Sequence, residues 1–184
     1  GDDISVRIKS LNTFRLGQHA REDGFEVDPT IPIDESAIAI NKVTLRGTLS
    51  VDDLLSTVFP EGSAIAKAKA INDSTSFTGV EADIYPTEVF GLFPLGGTLD
   101  DLNRIAINGT TIKGFEVLEG DVDERLRNEI NARVDATGVR ASLEDGNLRL
   151  TADDGRNIDV ETTSFQAGSA TGLNDGFAGV EIFA

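Results

Sequence analysis

The sequence predicts an α+β fold built from two related helix-plus-antiparallel-sheet units, with β-hairpins and a β-meander. Three observations predict it. The pattern Ile-Asn-x5-Thr-Gly-Val-x-Ala occurs at Ile71–Ala82 and again at Ile130–Ala141 with the same internal spacing. Each copy follows a stretch with helical periodicity. Each precedes a stretch in which apolar and polar residues alternate. A unit used twice points to architecture rather than to a single reactive centre.

The elements follow in order. Ile4–Ile8 alternates and reads as a strand, Leu11–Arg21 is ambiguous, and the polar stretch to Ser36 reads as linker around Pro29 and Pro32. Ile38, Ile40, Val43 and Leu45 indicate strands, with a turn or bulge at Arg46-Gly47. Ser50 and Ser63 are candidate N-caps, because a short hydroxyl accepts a hydrogen bond from free amides at a helix start. Ser63 precedes an alanine-rich helix ending at Ile71, whose small face (Ala64, Ala68, Ile71) suits close packing on a sheet. Val80, Ala82 and Ile84 alternate as a half-buried strand. Residues 86–97 read as an apolar loop between the units.

In the second half, Arg104–Lys113 is a hairpin, since Asn108-Gly109 accepts the positive φ of a tight turn. Asp121 is expected to open a helix with Val122, Leu126, Ile130 and Val134 on one face. A three-stranded meander is then expected, with turns at Asp145-Gly146 and Asp153–Gly155. Residues 166–179, rich in Gly, Ala and Ser, carry weak structure signals until Val180–Phe183. The expected organisation is an N-terminal strand and linker (1–36), a first unit (37–97), a second unit (98–165) and a C-terminal return segment (166–184).

In the repeated motif, Ile71 and Ile130 are the last apolar anchors of their helices. Asn72 and Asn131 are expected to satisfy backbone groups beyond them. Thr78 and Thr137 favour extended backbone, Gly79 and Gly138 permit a left-handed turn, and Val80 and Val139 start buried strands. These ten residues are assigned to structure.

Composition narrows the function. A net charge of −16 opposes binding to nucleic acid or to an anionic membrane surface. No apolar run approaches the roughly 20 residues of a membrane helix. Without Cys there is no disulfide, thiolate metal site or cysteine nucleophile. Without Met, the chain reads as a fragment or processed product. His19 is the only histidine, which excludes a His-Glu-x-x-His zinc site, and its surroundings are not those of a catalytic base. Asp121–Glu124 reads as an acidic helix start rather than a calcium loop. Asp153–Asn157 reads as a hairpin turn. No phosphate-binding Gly-rich loop is present. No catalytic, cofactor-binding or metal residue is nominated, and no cofactor is expected. Asn72-Asp73-Ser74 and Asn108-Gly109-Thr110 fit the N-glycosylation pattern, but any glycan is expected on exposed Ser and Thr.

The segments Ile105–Gly109, Asn128–Ala132 and Thr137–Ser142 resemble the hook IN motif of bacterial flagellins. Ala64–Asn72 with Thr78–Ala82 is similar to flagellin middle regions. Ile4–Ile8 and Leu16-Gly17 resemble the stretch where flagellins leave their inner helical domain. The resemblance covers roughly half the chain. It implies a non-enzymatic structural role as the outer, surface-exposed domain of the flagellar filament, extracellular, with neighbouring flagellin subunits as partners. The long terminal helices that assemble the filament core are not in this chain, so an excised middle portion, monomeric alone, is expected. A filament cap or hook-associated protein is the alternative within the family. A carbohydrate-binding adhesive module is the alternative outside it.

Overall fold

The computed structural model describes residues 28–178 and 182–183. The strand expected at Ile4–Ile8, the segment Leu11–Arg21 and His19 lie outside the described residues. The fold is mixed α+β. Short helices pack on several small antiparallel sheets.

The chain first forms a hairpin, β1 (Ala39–Ile40) and β2 (Val43–Thr44). Its turn is Asn41-Lys42, both at positive φ (50° and 69°), and not Arg46-Gly47 as the alternation suggested. Positive φ at both central residues gives the turn whose twist matches that of paired strands. A helix does not start at Ser50. Residues 50–52 make a single 3-10 turn, in which the Asp52 carboxylate accepts the Leu49 N–H at 2.9 Å. Helix α1 (Ala64–Asn72) does start after Ser63, whose Oγ accepts the Ala66 N–H at 3.1 Å. Its small side chains are buried on more than one face: Ala64, Ala66, Ala68 and Ala70 are each at most 6 % exposed. A one-turn helix α2 (Thr75–Thr78) leads to β3 (Asp83–Ile84), which is shorter than the alternation implied.

The apolar connector contains a strand, β4 (Thr87–Phe90), which pairs with β10 (Asn147–Ala152). Beyond it, residues 91–96 are stitched between two elements. The Gly91 N–H donates to the Leu148 carbonyl, and the Leu92, Leu95 and Gly96 amides donate to Gly172, Ser169 and Ala170. This strap spends its backbone groups inward and turns Leu92 and Leu95 to solvent.

Strand β5 (Gly97–Leu99) pairs with β8 (Phe115–Val117). Between them lies the expected hairpin, β6 (Ile105–Ile107) and β7 (Thr110–Ile112), turning at Asn108 (φ 46°) and Gly109 (φ 75°). Helix α3 (Arg125–Asn131) starts four residues later than expected, because Asp121 and Glu124 adopt positive φ. Asp121 still caps it. Fully buried, it accepts the Leu126 N–H at 2.8 Å and pairs with Arg127 Nε at 2.8 Å. Val122 is consequently exposed rather than on the core face. A one-turn α4 (Val134–Thr137) follows.

Strands β9 (Arg140–Glu144) and β10 form a hairpin, but the meander stops there. Strand β11 (Ile158–Thr162) leaves that sheet to pair with β6 and with β12 (Gly176–Ala178). Gly155 at φ 75° and the buried Asn157 carry the chain across. The Gly/Ala/Ser-rich tail forms helix α5 (Phe165–Thr171), capped by Ser164 Oγ on the Ala167 N–H, with Ala167 and Ala170 buried. Finally β13 (Ile182–Phe183) pairs with β3.

Buried apolar residues fall into two clusters. The larger runs from Leu99 to Leu173. The smaller comprises Leu45, Ala68, Ile71 and Ala82, with Ile40 and Val80 against it.

One ion-pair group holds the first segment. Arg46 donates to both Asp52 oxygens (2.7 and 2.9 Å) and to Asp73 Oδ2 (2.7 and 2.9 Å). These hydrogen bonds raise the guanidinium pKa and hold both carboxyls below the usual carboxylate range. A depressed carboxyl stabilises the fold above its unfolded value of about 3.9, and the contribution is lost as pH falls through the folded value. Arg46→Met is therefore expected to cost about 1 kcal/mol at pH 7. It should also flatten the acid dependence of the thermal midpoint below pH 4. Melting curves from pH 7 to 2 check this, and an acid limb as steep as that of the parent would contradict it.

Candidate functional site

The candidate site is the helix-turn-strand junction that occurs twice. In the first copy, α1 ends at Asn72, whose side chain reaches forward to the strand entry. Its Nδ2 donates to the Ala82 carbonyl at 2.9 Å, and its Oδ1 accepts the Ala82 N–H at 2.8 Å. One amide side chain thus pairs with a residue as a neighbouring strand would. In the second copy Asn131 does the same to Ala141, at 3.1 and 2.8 Å.

Thr78 and Thr137 are not extended. Each is the last residue of its one-turn helix and is nearly or fully buried. Each Oγ1 donates back to the carbonyl four residues earlier, Ser74 at 3.1 Å and Arg133 at 3.0 Å. Each also accepts the N–H of the following valine, Val80 or Val139, at 3.1 Å. Gly79 (φ 70°) and Gly138 (φ 71°) make the left-handed step that ends the helices, and their amides bond to Thr75 and Val134. Ile71 and Ile130 are buried. Val139 is buried, while Val80 is half-buried.

Two participants were missed from the sequence. Asn41 Nδ2 donates to the Thr78 carbonyl at 2.8 Å, and Asn108 Nδ2 donates to the Thr137 carbonyl at 2.7 Å. Both sit in the two-residue turn of a hairpin. A signal was available, since Ile-Asn occurs four times in the chain: Ile40-Asn41, Ile71-Asn72, Ile107-Asn108 and Ile130-Asn131. Each junction uses one such pair from a hairpin and one from a helix end. The second junction adds a bond, from the Asp159 N–H to Asn108 Oδ1 at 2.8 Å, which ties in β11.

The surroundings of the two glycines differ. An added Cβ at Gly79 meets nothing within 4 Å, whereas at Gly138 it would sit 2.2–2.4 Å from the Arg156 guanidinium. Arg156 is itself held by Asp154 at 2.6–3.0 Å. Burial pushes the Asp154 carboxyl up, but the hydrogen bonds from Arg156 outweigh it and leave the group below its ordinary range. Gly79→Ala is expected to cost about 1–2 kcal/mol, the left-handed penalty alone. Gly138→Ala should cost more, by the work of displacing Arg156. Chemical denaturation of both single variants checks the order, and equal losses would contradict it.

Nothing at the junctions is arranged for catalysis. Their side chains are amides, hydroxyls and aliphatics whose polar atoms are occupied by backbone. Among the described residues no group of three or more His, Asp or Glu is placed to hold a metal ion, and no helix is long and apolar enough to cross a membrane.

Comparison with known proteins finds a family match that includes the second junction. Residues 104–154, which run from the β6–β7 hairpin through α3, the second junction and β9–β10, match the flagellin hook IN motif. The chain is 36% identical over 117 residues to Flagellin B of Helicobacter pylori, a match covering 62% of the chain and 22% of that relative. It is 27% identical over 157 residues to Flagellin A of Helicobacter mustelae, covering 84% of the chain and 31% of that relative. The chain thus spans between a fifth and a third of the length of these flagellins. The similarity is to a structural, non-enzymatic family. By these comparisons the chain is similar to flagellins over part of its length, with residues 104–154 similar to the flagellin hook IN motif.

Proposed function

We propose that this chain is the outer, surface-exposed domain of a flagellin, the subunit of the bacterial flagellar filament. It works as a scaffold outside the cell, with neighbouring flagellin subunits as its partners in the filament and a monomeric state by itself. The observation that carries this reading is the hook IN match at residues 104–154, together with flagellin similarity over 117 residues of the chain.

The reading includes two related units, residues 37–97 and 98–165, between an N-terminal segment (1–36) and a C-terminal return (166–184). The ten motif residues Ile71, Asn72, Thr78, Gly79, Val80, Ile130, Asn131, Thr137, Gly138 and Val139 form the hinge of each unit. Matching hydrogen bonds at the two junctions support it. So does the composition of the two clusters. Ile40, Leu45, Ile71, Val80 and Ala82 pack in the smaller one, and the residues at the same motif positions, Ile107, Ile112, Ile130, Val139 and Ala141, are buried in the larger. Within the first unit the β1–β2 hairpin is self-contained, while β3 pairs with β13 and β4 with β10 outside it.

Immunogold labelling with antibodies raised against this chain tests the role. Decoration along the whole filament is expected. Label confined to the tip or to the hook end would support the cap or hook-associated alternative instead.

One observation favours a carbohydrate-binding reading. A groove of about 430 Å³ between the strap and α5 exposes Phe93 and Phe165 beside Asn174 and Asp175. Aromatic faces with a few polar groups at the rim suit a small polar ligand with an apolar face. Glycan-array binding that disappears in Phe165→Ala would support that reading, and no binding to any glycan would remove it.

A further inference from the structure

Loop 53–59 closes over the turn between β10 and β11, where Ser56 is the common partner. Asp53, 2 % exposed, accepts the Leu55 and Ser56 amides on Oδ1 at 2.8 and 3.0 Å. Ser56 Oγ accepts the Asn157 N–H at 2.9 Å. Asn157, 0 % exposed, donates from Nδ2 to the carbonyls of Val58 and Phe59 at 3.0 and 3.3 Å. Both of those partners are acceptors, so the amide orientation is determined: Nδ2 faces them and Oδ1 faces away.

Two oxygens in this cluster are left over. Asp53 Oδ2 and Asn157 Oδ1 are buried, and neither receives a hydrogen bond from the protein. A buried acceptor without a donor costs about 1–3 kcal/mol, and more when charged. Arg156 spends its Nε and Nη2 donors on Asp154 and its Nη1 on the Thr137 carbonyl.

We propose that Asp53 Oδ2 and Asn157 Oδ1 together bind one small species that presents positive charge to both, a water molecule or a hard cation. It locks loop 53–59 onto the β10–β11 turn and so joins the two halves of the chain. A single carboxylate with one amide oxygen is a thin donor set for calcium, which takes six to eight oxygens. Water, with two O–H donors for two acceptors, is therefore the expected occupant.

A crystal structure of the chain at a resolution that shows ordered waters tests the site. The expected result is one density peak in contact with both oxygens. Contacts of about 2.7–3.0 Å, with a melting midpoint indifferent to calcium chloride or EDTA, identify water. Contacts of about 2.3–2.6 Å, with a midpoint raised by calcium, identify a cation. That rise should vanish in Asp53→Asn. No peak shared by the two oxygens, or a protein N–H or O–H bonded to either, overturns the proposal.

Discussion

Asn108→Ala is expected to destabilise the chain by about 2–4 kcal/mol, because it removes the close partners of two backbone groups at once, leaving the Thr137 carbonyl only Arg156 Nη1 at 3.5 Å. The Asn108 side chain is 6 % exposed. It satisfies the Thr137 carbonyl on one side (2.7 Å) and the Asp159 N–H on the other (2.8 Å). Alanine reaches neither, and it is less at ease than asparagine at φ 46°. Asn108→Asp separates the two bonds. An ionised carboxylate keeps the bond from the Asp159 amide but sets an oxygen against the Thr137 carbonyl. Only the protonated form can donate there. The introduced carboxyl should therefore have a raised folded pKa. Its contribution is then fully present below the unfolded value of about 3.9 and is lost as pH rises through the folded value. Asn108→Asp should accordingly approach the parent's stability on acidification while Asn108→Ala does not. Denaturation midpoints of the three proteins at pH 7 and pH 3.5 check this. A pH-independent gap between Asn108→Asp and the parent would show that the Thr137 bond contributes nothing.

Gly172→Ala is expected to be at least as damaging, roughly 3 kcal/mol or more, by combining left-handed strain with a backbone collision. Gly172 ends α5 at φ 75°, and its amide bonds to Gly168. Its carbonyl accepts the Leu92 N–H at 2.7 Å. A Cβ there would lie 2.1 Å from the Leu92 carbonyl oxygen, where no side chain can swing aside. The strap must lift, and with it the amides of Leu92, Leu95 and Gly96 leave their acceptors on α5. For a chain of this length the loss corresponds to a thermal midpoint roughly 6–12 °C lower. Thermal unfolding followed by far-UV circular dichroism reads it. A midpoint within about 2 °C of the parent, below the shift expected for even 1 kcal/mol, would show that the strap is not fastened there. Gly79→Ala, with open space around the same φ, is the matched control.

Much of this was legible in the sequence because the signals were local. Asn108-Gly109 specifies a tight hairpin whatever surrounds it. Ser63 before an alanine run specifies a helix start. The positive φ of Gly79 and Gly138 follows from glycine standing where a helix must end. The family resemblance was also legible, since the motif residues are contiguous. The misreadings share another cause. Thr78 and Thr137 are β-formers by propensity, yet each is helical, because its hydroxyl is worth more as a cap to the residue after the glycine. The tail around Phe165–Thr171 looked featureless because glycine and alanine carry little pattern. Those small residues are what allow the strap to lie against the helix.

By itself the sequence determined the start of α1 after Ser63, the two-residue turns at Asn108-Gly109 and Asp145-Gly146, the repeated motif and the resemblance to flagellins, since each is encoded within a dozen or so neighbouring residues. Tertiary structure alone decided that β11 leaves the β9–β10 sheet for β6, that β4 joins β10 across the chain, and that Asn41 and Asn108 reach the carbonyls of Thr78 and Thr137. A strand's pattern states which face is buried but not which edge it will find. An amide side chain can serve any backbone group within reach, so its partner is set only when packing brings distant segments together.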